Sequence, residues 1–197
     1  MLKKLILAAL VSSLLFCAFP VAASAQGPDG SAAFALESPA VKADAQVPLL
    51  YTQHGPGRDI SPPLVWKNAP KGTKGLALIL DGPAYGVRKD PFVHWVVYNI
   101  PPAATGLPEA LPMEARLDAS AELAGLTQGP TGWRTPGYRG PLPGGDLPNK
   151  PQLFRFTLYA LDATLNLKPG LDKPALLNAI KGHVIATAAM EVTCPER

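Results

Sequence analysis

Two cysteines in 197 residues are too few to staple a fold. Cys17 lies in an apolar leader, so Cys194 is left alone, either as a free thiol or as a link between chains. The same count excludes a cysteine-built zinc cluster. Histidine is as scarce: His54, His94 and His183 stand far apart, with no carboxylate cluster beside them. No G-x-S-x-G occurs, Ser61 is followed by two prolines, and neither a P-loop nor a G-x-G-x-x-G after a strand is present. Charge is sparse too. The formal net charge is +3, and it falls by two, to +1, once Lys3 and Lys4 leave with the leader. Nothing in that balance suggests an electrostatic binder of nucleic acid or of a membrane. Internal repeats, low-complexity tracts and a second domain are absent from the sequence as well.

The leader has the three parts of a secretory signal: Lys3 and Lys4, an apolar stretch from Leu5 to Phe19, and the small-residue site Ala23-Ser24-Ala25. Ser12, Ser13 and Pro20 interrupt that stretch, which is short for a membrane span. Residues 1–25 are expected to be removed, leaving residues 26–197 as one periplasmic or secreted domain with no membrane span. A lipid anchor at Cys17 is the alternative, and bulky Phe16 beside it argues against that reading.

Twenty-three prolines and eighteen glycines divide the rest into short segments, which favours strands over long helices. Strands are expected at Ala33–Leu36, Leu49–Thr52, Leu64–Trp66, Gly75–Leu80, Phe92–Ile100, Leu153–Leu161 and His183–Val192. "GLALIL" and "FVHWVVYNI" are apolar at alternate and intervening positions alike, so each should be covered on both faces. Trp66 and Trp95 read as core aromatics. One helix is expected over Lys173–Lys181, capped by Asp172, with Pro174 in its first turn and Gly182 at its end. Its stripe of Leu176, Ala179, Ile180 and His183 should be buried, with His183 near the last carbonyls. Pro101–Pro148 is long, rich in Pro and Gly and without periodicity, as functional or mobile loops are. "VRKD", residues 87–90, reads as a solvated charged loop.

The segments "GRDISPPLVW", "GLALILDGPAYG", "HWVVYNIP", "GYRGPLP" and "FRFTLYALD", in this order and spacing, resemble the phosphatidylethanolamine-binding protein family, in its bacterial Raf-kinase-inhibitor-like branch. The resemblance runs from about Phe34 to the C-terminus. It implies a mostly β fold, a two-layer antiparallel sheet core of sandwich type with one or two helices near the C-terminus. It also implies a small anion pocket where strand-end loops converge. In the family that pocket is lined by a D-P-D-A-P turn, a histidine before the W-V-V-Y-N strand, a G-Y-x-G-P loop and a second histidine opening an H-R-Y strand.

On that pattern His94 matches the first pocket histidine, positioned to donate a hydrogen bond to a phosphate or carboxylate. Gly82 and Ala84 fall where the two carboxylates belong, with Pro83 between them. Asp81 lies one residue early, on the opposite face of an extended segment. Gln152 takes the place of the second histidine, and Phe154 that of a common tyrosine. Leu142 and Gly144 replace a cysteine and a proline of the loop, while Tyr138, Gly140 and Pro141 remain. Asp90, just before Pro91 and His94, is placed to fold back and supply the missing carboxylate.

The functional expectation is therefore a non-catalytic, exported ligand-binding or inhibitor-like protein without a cofactor. Its altered pocket would take a small anionic or phospholipid-head-group ligand. His94, Tyr138, Gln152 and Asp90 would make the polar contacts, and Gly82, Pro83, Gly140 and Pro141 would shape the wall. One alternative is a pocket-less scaffold acting through a protein partner. Another is a hydrolase with His94 as general base, oriented by Asp81 or Asp90.

Overall fold

A computed structural model describes residues 32–54, 56, 58–84, 89–118, 120–143 and 152–194. The leader, with Cys17 and the cleavage site, lies outside the described residues, as do Val87 and Arg88 of the charged loop; Lys89 and Asp90 are exposed. Among the described residues, nine strands form two antiparallel sheets. The smaller sheet has the order β1-β2-β5, built from β1 (Ala35–Glu37), β2 (Leu64–Lys67) and β5 (Gly106–Leu107). The larger has the order β6-β7-β4-β3-β8-β9, with β6 (Arg116–Leu117), β7 (Leu126–Gln128), β4 (Phe92–Ile100), β3 (Gly75–Gly82), β8 (Leu153–Leu161) and β9 (Val184–Thr193). One α-helix, α1 (Lys173–Ala179), is found among the described residues, near the C-terminus. The expected mostly β, two-sheet architecture is the one observed.

The central strands are apolar on both faces because both faces are covered. Leu76, Leu78, Leu80, Trp95 and Val97 meet Leu36, Leu64, Trp66 and Leu107 of the smaller sheet in the main core. Ala77, Ile79, Val96 and Tyr98 face the other way, against Leu176 and Ile180 at the helix. Burying each of those two aliphatic side chains stabilises the fold by roughly 1.5–3 kcal/mol. Trp66 and Trp95 are core residues as expected, and each indole N–H has a partner: the Ala104 carbonyl at 2.7 Å and Gln128 Oε1 at 2.7 Å. Among the described residues, no helix is long and apolar enough to cross a membrane.

Several boundaries differ from expectation for local reasons. Leu49–Tyr51 is a 3-10 turn, not a strand: the Thr52 N–H and hydroxyl both return to the Leu49 carbonyl, and Leu49 itself is exposed. The first strand starts at Ala35. Short strands β5, β6 and β7 lie inside the stretch expected to be a single loop. Asp172 does cap α1, its Oδ1 accepting from the Ala175 N–H at 3.0 Å, and Gly182 follows at φ +84°. The His183 ring pairs with Asp162 Oδ1 at 2.9 Å; only its main-chain N–H reaches the helix end, at the Ile180 carbonyl.

Candidate functional site

His94 owes its orientation to a β-bulge. Between the pairs Leu80↔Trp95 and Asp81↔Val93, one step along β3 spans two along β4, so His94 is the extra residue. Strict alternation would turn it toward the helix, with Val96 and Tyr98. Instead it joins Trp95 on the side of the main core, where its ring meets Phe154 at a centroid distance of 5.0 Å. Bulges re-aim side chains in this way, and here the re-aimed group is an imidazole.

Aromatic rings enclose that imidazole. Phe92 and Trp133 stand edge-on to it at 5.5 and 5.1 Å, completing a cage with Phe154. The end of β3 presses against it as well: a Cβ on Gly82 would lie 2.6 Å from Phe154 Cε1 and 2.7 Å from His94 Nε2. Only a glycine leaves room for both rings. The result is a histidine with 0% of its surface exposed. Its Nδ1 lies 2.8 Å from the Arg139 carbonyl, which only accepts, so Nδ1 carries the proton. Burial pushes the ring down to about 4, outweighing the upward pull of the Arg139 and Gly140 carbonyls and of the Asp59 charge. At neutral pH the imidazole is uncharged.

The loop beneath is held by a carboxylate that the sequence pattern did not single out. Asp59 Oδ2 accepts from Arg139 Nη1 at 2.8 Å and its Oδ1 from the Gly140 N–H at 2.9 Å. The Arg139 N–H donates to the His94 carbonyl at 2.9 Å, so loop and strand are tied in both directions. Gln53 closes the other side, its Nε2 donating to the Gly140 carbonyl at 2.9 Å and its N–H to the Pro141 carbonyl at 3.0 Å. A Cβ on Gly140 would collide with the Tyr51 carbonyl oxygen and with Thr52 Cα, so this glycine serves the approach of two backbones.

These contacts correct several expected roles. Tyr138 is 1% exposed; its hydroxyl donates to the Tyr51 carbonyl at 2.7 Å and its ring stands edge-on to Trp95, so it belongs to the core. Gly140 and Pro141 are buried against residues 51–53 and do not line an open wall. Pro83 is half-buried, and its carbonyl accepts from the Phe92 N–H at 3.4 Å. Asp90 is exposed and lines a 570 Å³ groove with Val93, Arg134, Asp172 and Lys173, on the helix side of the sheet. Asp81, on that side too, accepts from Lys173 Nζ at 2.7 Å. Neither acid takes the place of the missing pocket carboxylates, because the bulge sends His94 to the opposite face.

Gln152 is 6% exposed, two residues before Phe154 on the same alternating face, and its Oε1 is buried without a hydrogen-bond partner. The structure thus gathers His94, Gly82 and Phe154 at one end of the sheet, with Gln152 on the Phe154 side. Sequence reasoning missed Asp59, Gln53, Phe92 and Trp133. Trp133 carried a visible signal, a large aromatic inside the Gly- and Pro-rich "GPTGWRTPG". Among the described residues no group of three His, Cys, Asp or Glu could hold a metal ion.

Comparisons with known proteins agree with this architecture. The phosphatidylethanolamine-binding protein family model matches residues 37–195. A UPF0098 protein of Methanothermobacter thermautotrophicus is 41% identical over 145 residues, 74% of this chain and 87% of that protein. The crystal structure of a phosphatidylethanolamine-binding protein homologue from Chlamydia trachomatis superposes with a TM-score of 0.70 at 32% identity, covering 84% of this chain and 99% of that one. Escherichia coli YbcL, described as a member of the mammalian family, gives a TM-score of 0.67 at 25% identity, covering 83% and 99%. With two sheets of matching architecture and a family match over most of its length, this chain belongs to the phosphatidylethanolamine-binding protein family.

Proposed function

We propose that this chain is an exported, non-catalytic binding protein whose His94 end has become a closed, uncharged aromatic cluster, so that recognition runs through other surfaces. The observation that carries this reading is the contact at Gly82. In the resemblance a carboxylate belongs there, and here His94 and Phe154 occupy the space its side chain would need. An anion held at this end would want a charged or donating imidazole. His94 is neutral at ordinary pH, and the proton it carries is held by the Arg139 carbonyl. This supports the pocket-less scaffold over the anion pocket.

The non-catalytic reading is supported by the serine weighed in the sequence: Ser61 is buried, and its Oγ accepts from the Leu111 N–H at 2.9 Å. Export rests on the leader sequence of residues 1–25.

Calorimetry with phosphate, acetate and phosphoethanolamine tests the reading. The native chain should give no saturable heat at millimolar concentration, and His94→Ala should behave in the same way. Saturable binding of any of the three that disappears in His94→Ala would restore the anion pocket. Hydrolysis of esters or phosphodiesters that disappears in the same variant would restore the hydrolase.

A further inference from the structure

We propose that a cleft at the other end of the large sheet binds a small amphiphile with an anionic head and a short apolar body. The cleft has a volume of 330 Å³, within the range of small-molecule sites. It opens where β3 begins and where β4 and β8 end, whereas His94 and Gly82 mark the start of β4 and the end of β3. One wall is the segment 163–167 after β8; the other carries Arg116 of β6 and Gly125.

Asn99 braces the floor. Its Nδ2 donates to the Leu167 carbonyl at 2.7 Å and to Thr127 Oγ1 at 3.1 Å, while its Oδ1 accepts from the Leu167 N–H at 3.0 Å. One side chain therefore ties the 163–167 wall to β7, the strand that pairs with β6. It does so from a left-handed backbone, φ +54°, inside a second bulge of β4 between the pairs Leu76↔Ile100 and Leu78↔Val97. Unusual backbone held by surrounding contacts is a recurrent feature of binding sites. Asn166, in the adjoining wall, is left-handed as well, at φ +46°.

The chemistry of the lining selects the ligand. Pro102, Ala124, Leu165 and Leu167 supply the accessible apolar surface, and the ionisable groups are Lys74, Tyr98 and Arg116, with no acid among them. The Tyr98 hydroxyl is engaged by the Lys168 carbonyl and the Leu171 N–H, which leaves two cations to meet a ligand. Asp118 takes only the Nε side of Arg116, at 3.3 Å. The guanidinium Nη2 leans toward Gly125, 3.9 Å from the point where a Cβ would stand. A carboxylate or phosphate is attracted by both cations, with its hydrocarbon against Leu165 and Leu167. The inference does not depend on how the His94 end is read.

Amide NMR of the mature chain, titrated with hexanoate, hexyl phosphate and hexylammonium, tests it. The two anions should shift Gly75, Asn99, Thr164 and Gly125 with dissociation constants on the order of 1 mM, and hexylammonium should not. The tighter of the two anions then identifies the head group as carboxylate or phosphate. Lys74→Gln with Arg116→Gln should weaken binding about tenfold in a chain whose spectrum remains dispersed, since two exposed charge contacts supply a factor of that size. Lys42→Glu, an equal change of charge elsewhere, should leave it unchanged. Absence of shifts, equal response to hexylammonium, or shifts centred on Gly82 and Gly140 would overturn the proposal.

Discussion

Acid should destabilise this protein through one imidazole, and the size of the effect follows from where that ring sits. His94 titrates at about 4 in the folded chain and at 6.5 when unfolded, so between those values the unfolded chain takes up a proton that the folded chain refuses. Stability from this group is complete above pH 6.5, falls as the pH drops toward 4, and levels off below. Linkage gives a loss of about 2 kcal/mol by pH 5 and about 3 kcal/mol by pH 4, relative to pH 7. Other groups titrate in the same window, so the measurement has to isolate His94. Urea unfolding followed by tryptophan fluorescence at several pH values, for native chain and His94→Gln, does so. The glutamine retains an N–H donor for the Arg139 carbonyl but cannot take up a proton. The variant should start less stable at pH 7 and lose less on acidification, with the gap between the two curves closing by about 2–3 kcal/mol from pH 7 to pH 4. Parallel curves would show that His94 is protonated as easily folded as unfolded, and the sealed, neutral cluster would have to be abandoned.

Other substitutions probe the same construction. Gly82→Ala places a methyl group against His94 and Phe154 and should cost about 1–3 kcal/mol by overpacking, read as a lower urea midpoint with an unchanged slope. Asp59→Asn removes the charge that holds Arg139 and should cost about 1–3 kcal/mol; equal stability would show the clamp to be incidental. Trp133→Ala strips one ring from the cage while removing a side chain that is itself 40% exposed. The NMR titration midpoint of His94 should then rise from about 4 toward 6.5, with a smaller change in stability, about 1 kcal/mol. A midpoint that stays in place would mean that Trp133 does not keep water from the ring.

What the sequence made legible was whatever carried a long pattern. Phe92–Ile100 and Leu153–Leu161 match their strands residue for residue, since nine apolar or alternating positions leave little choice of structure. The cap at Asp172 was equally plain, being a local rule. Strands β5 and β6, two residues each, were invisible, because a pattern of period two needs more than two positions to show. Leu49–Tyr51 looked like a strand by composition, yet Pro48 in front and the Thr52 hydroxyl behind close it into a turn.

The candidate site was legible in membership and not in orientation, and the reason lies in the bulge. Sequence spacing places Asp81, Asp90 and His94 close together along the chain, which invited pairing an acid with the imidazole. One extra residue in β4 turns His94 to the face opposite Asp81, which pairs instead with Lys173 on the helix side of the sheet. The carboxylate that does influence His94 comes from Asp59, thirty-five positions away, through the loop it clamps. The replacements around the ring are then mutually consistent. With glycine at 82 the imidazole loses the partner that would hold its charged form, and a neutral imidazole can be buried against Phe154 without an unpaired charge. Restoring an anion site would therefore take more than a carboxylate at position 82: Phe154 and Trp133 would also have to yield, because the space and the proton that an anion needs are both already in use.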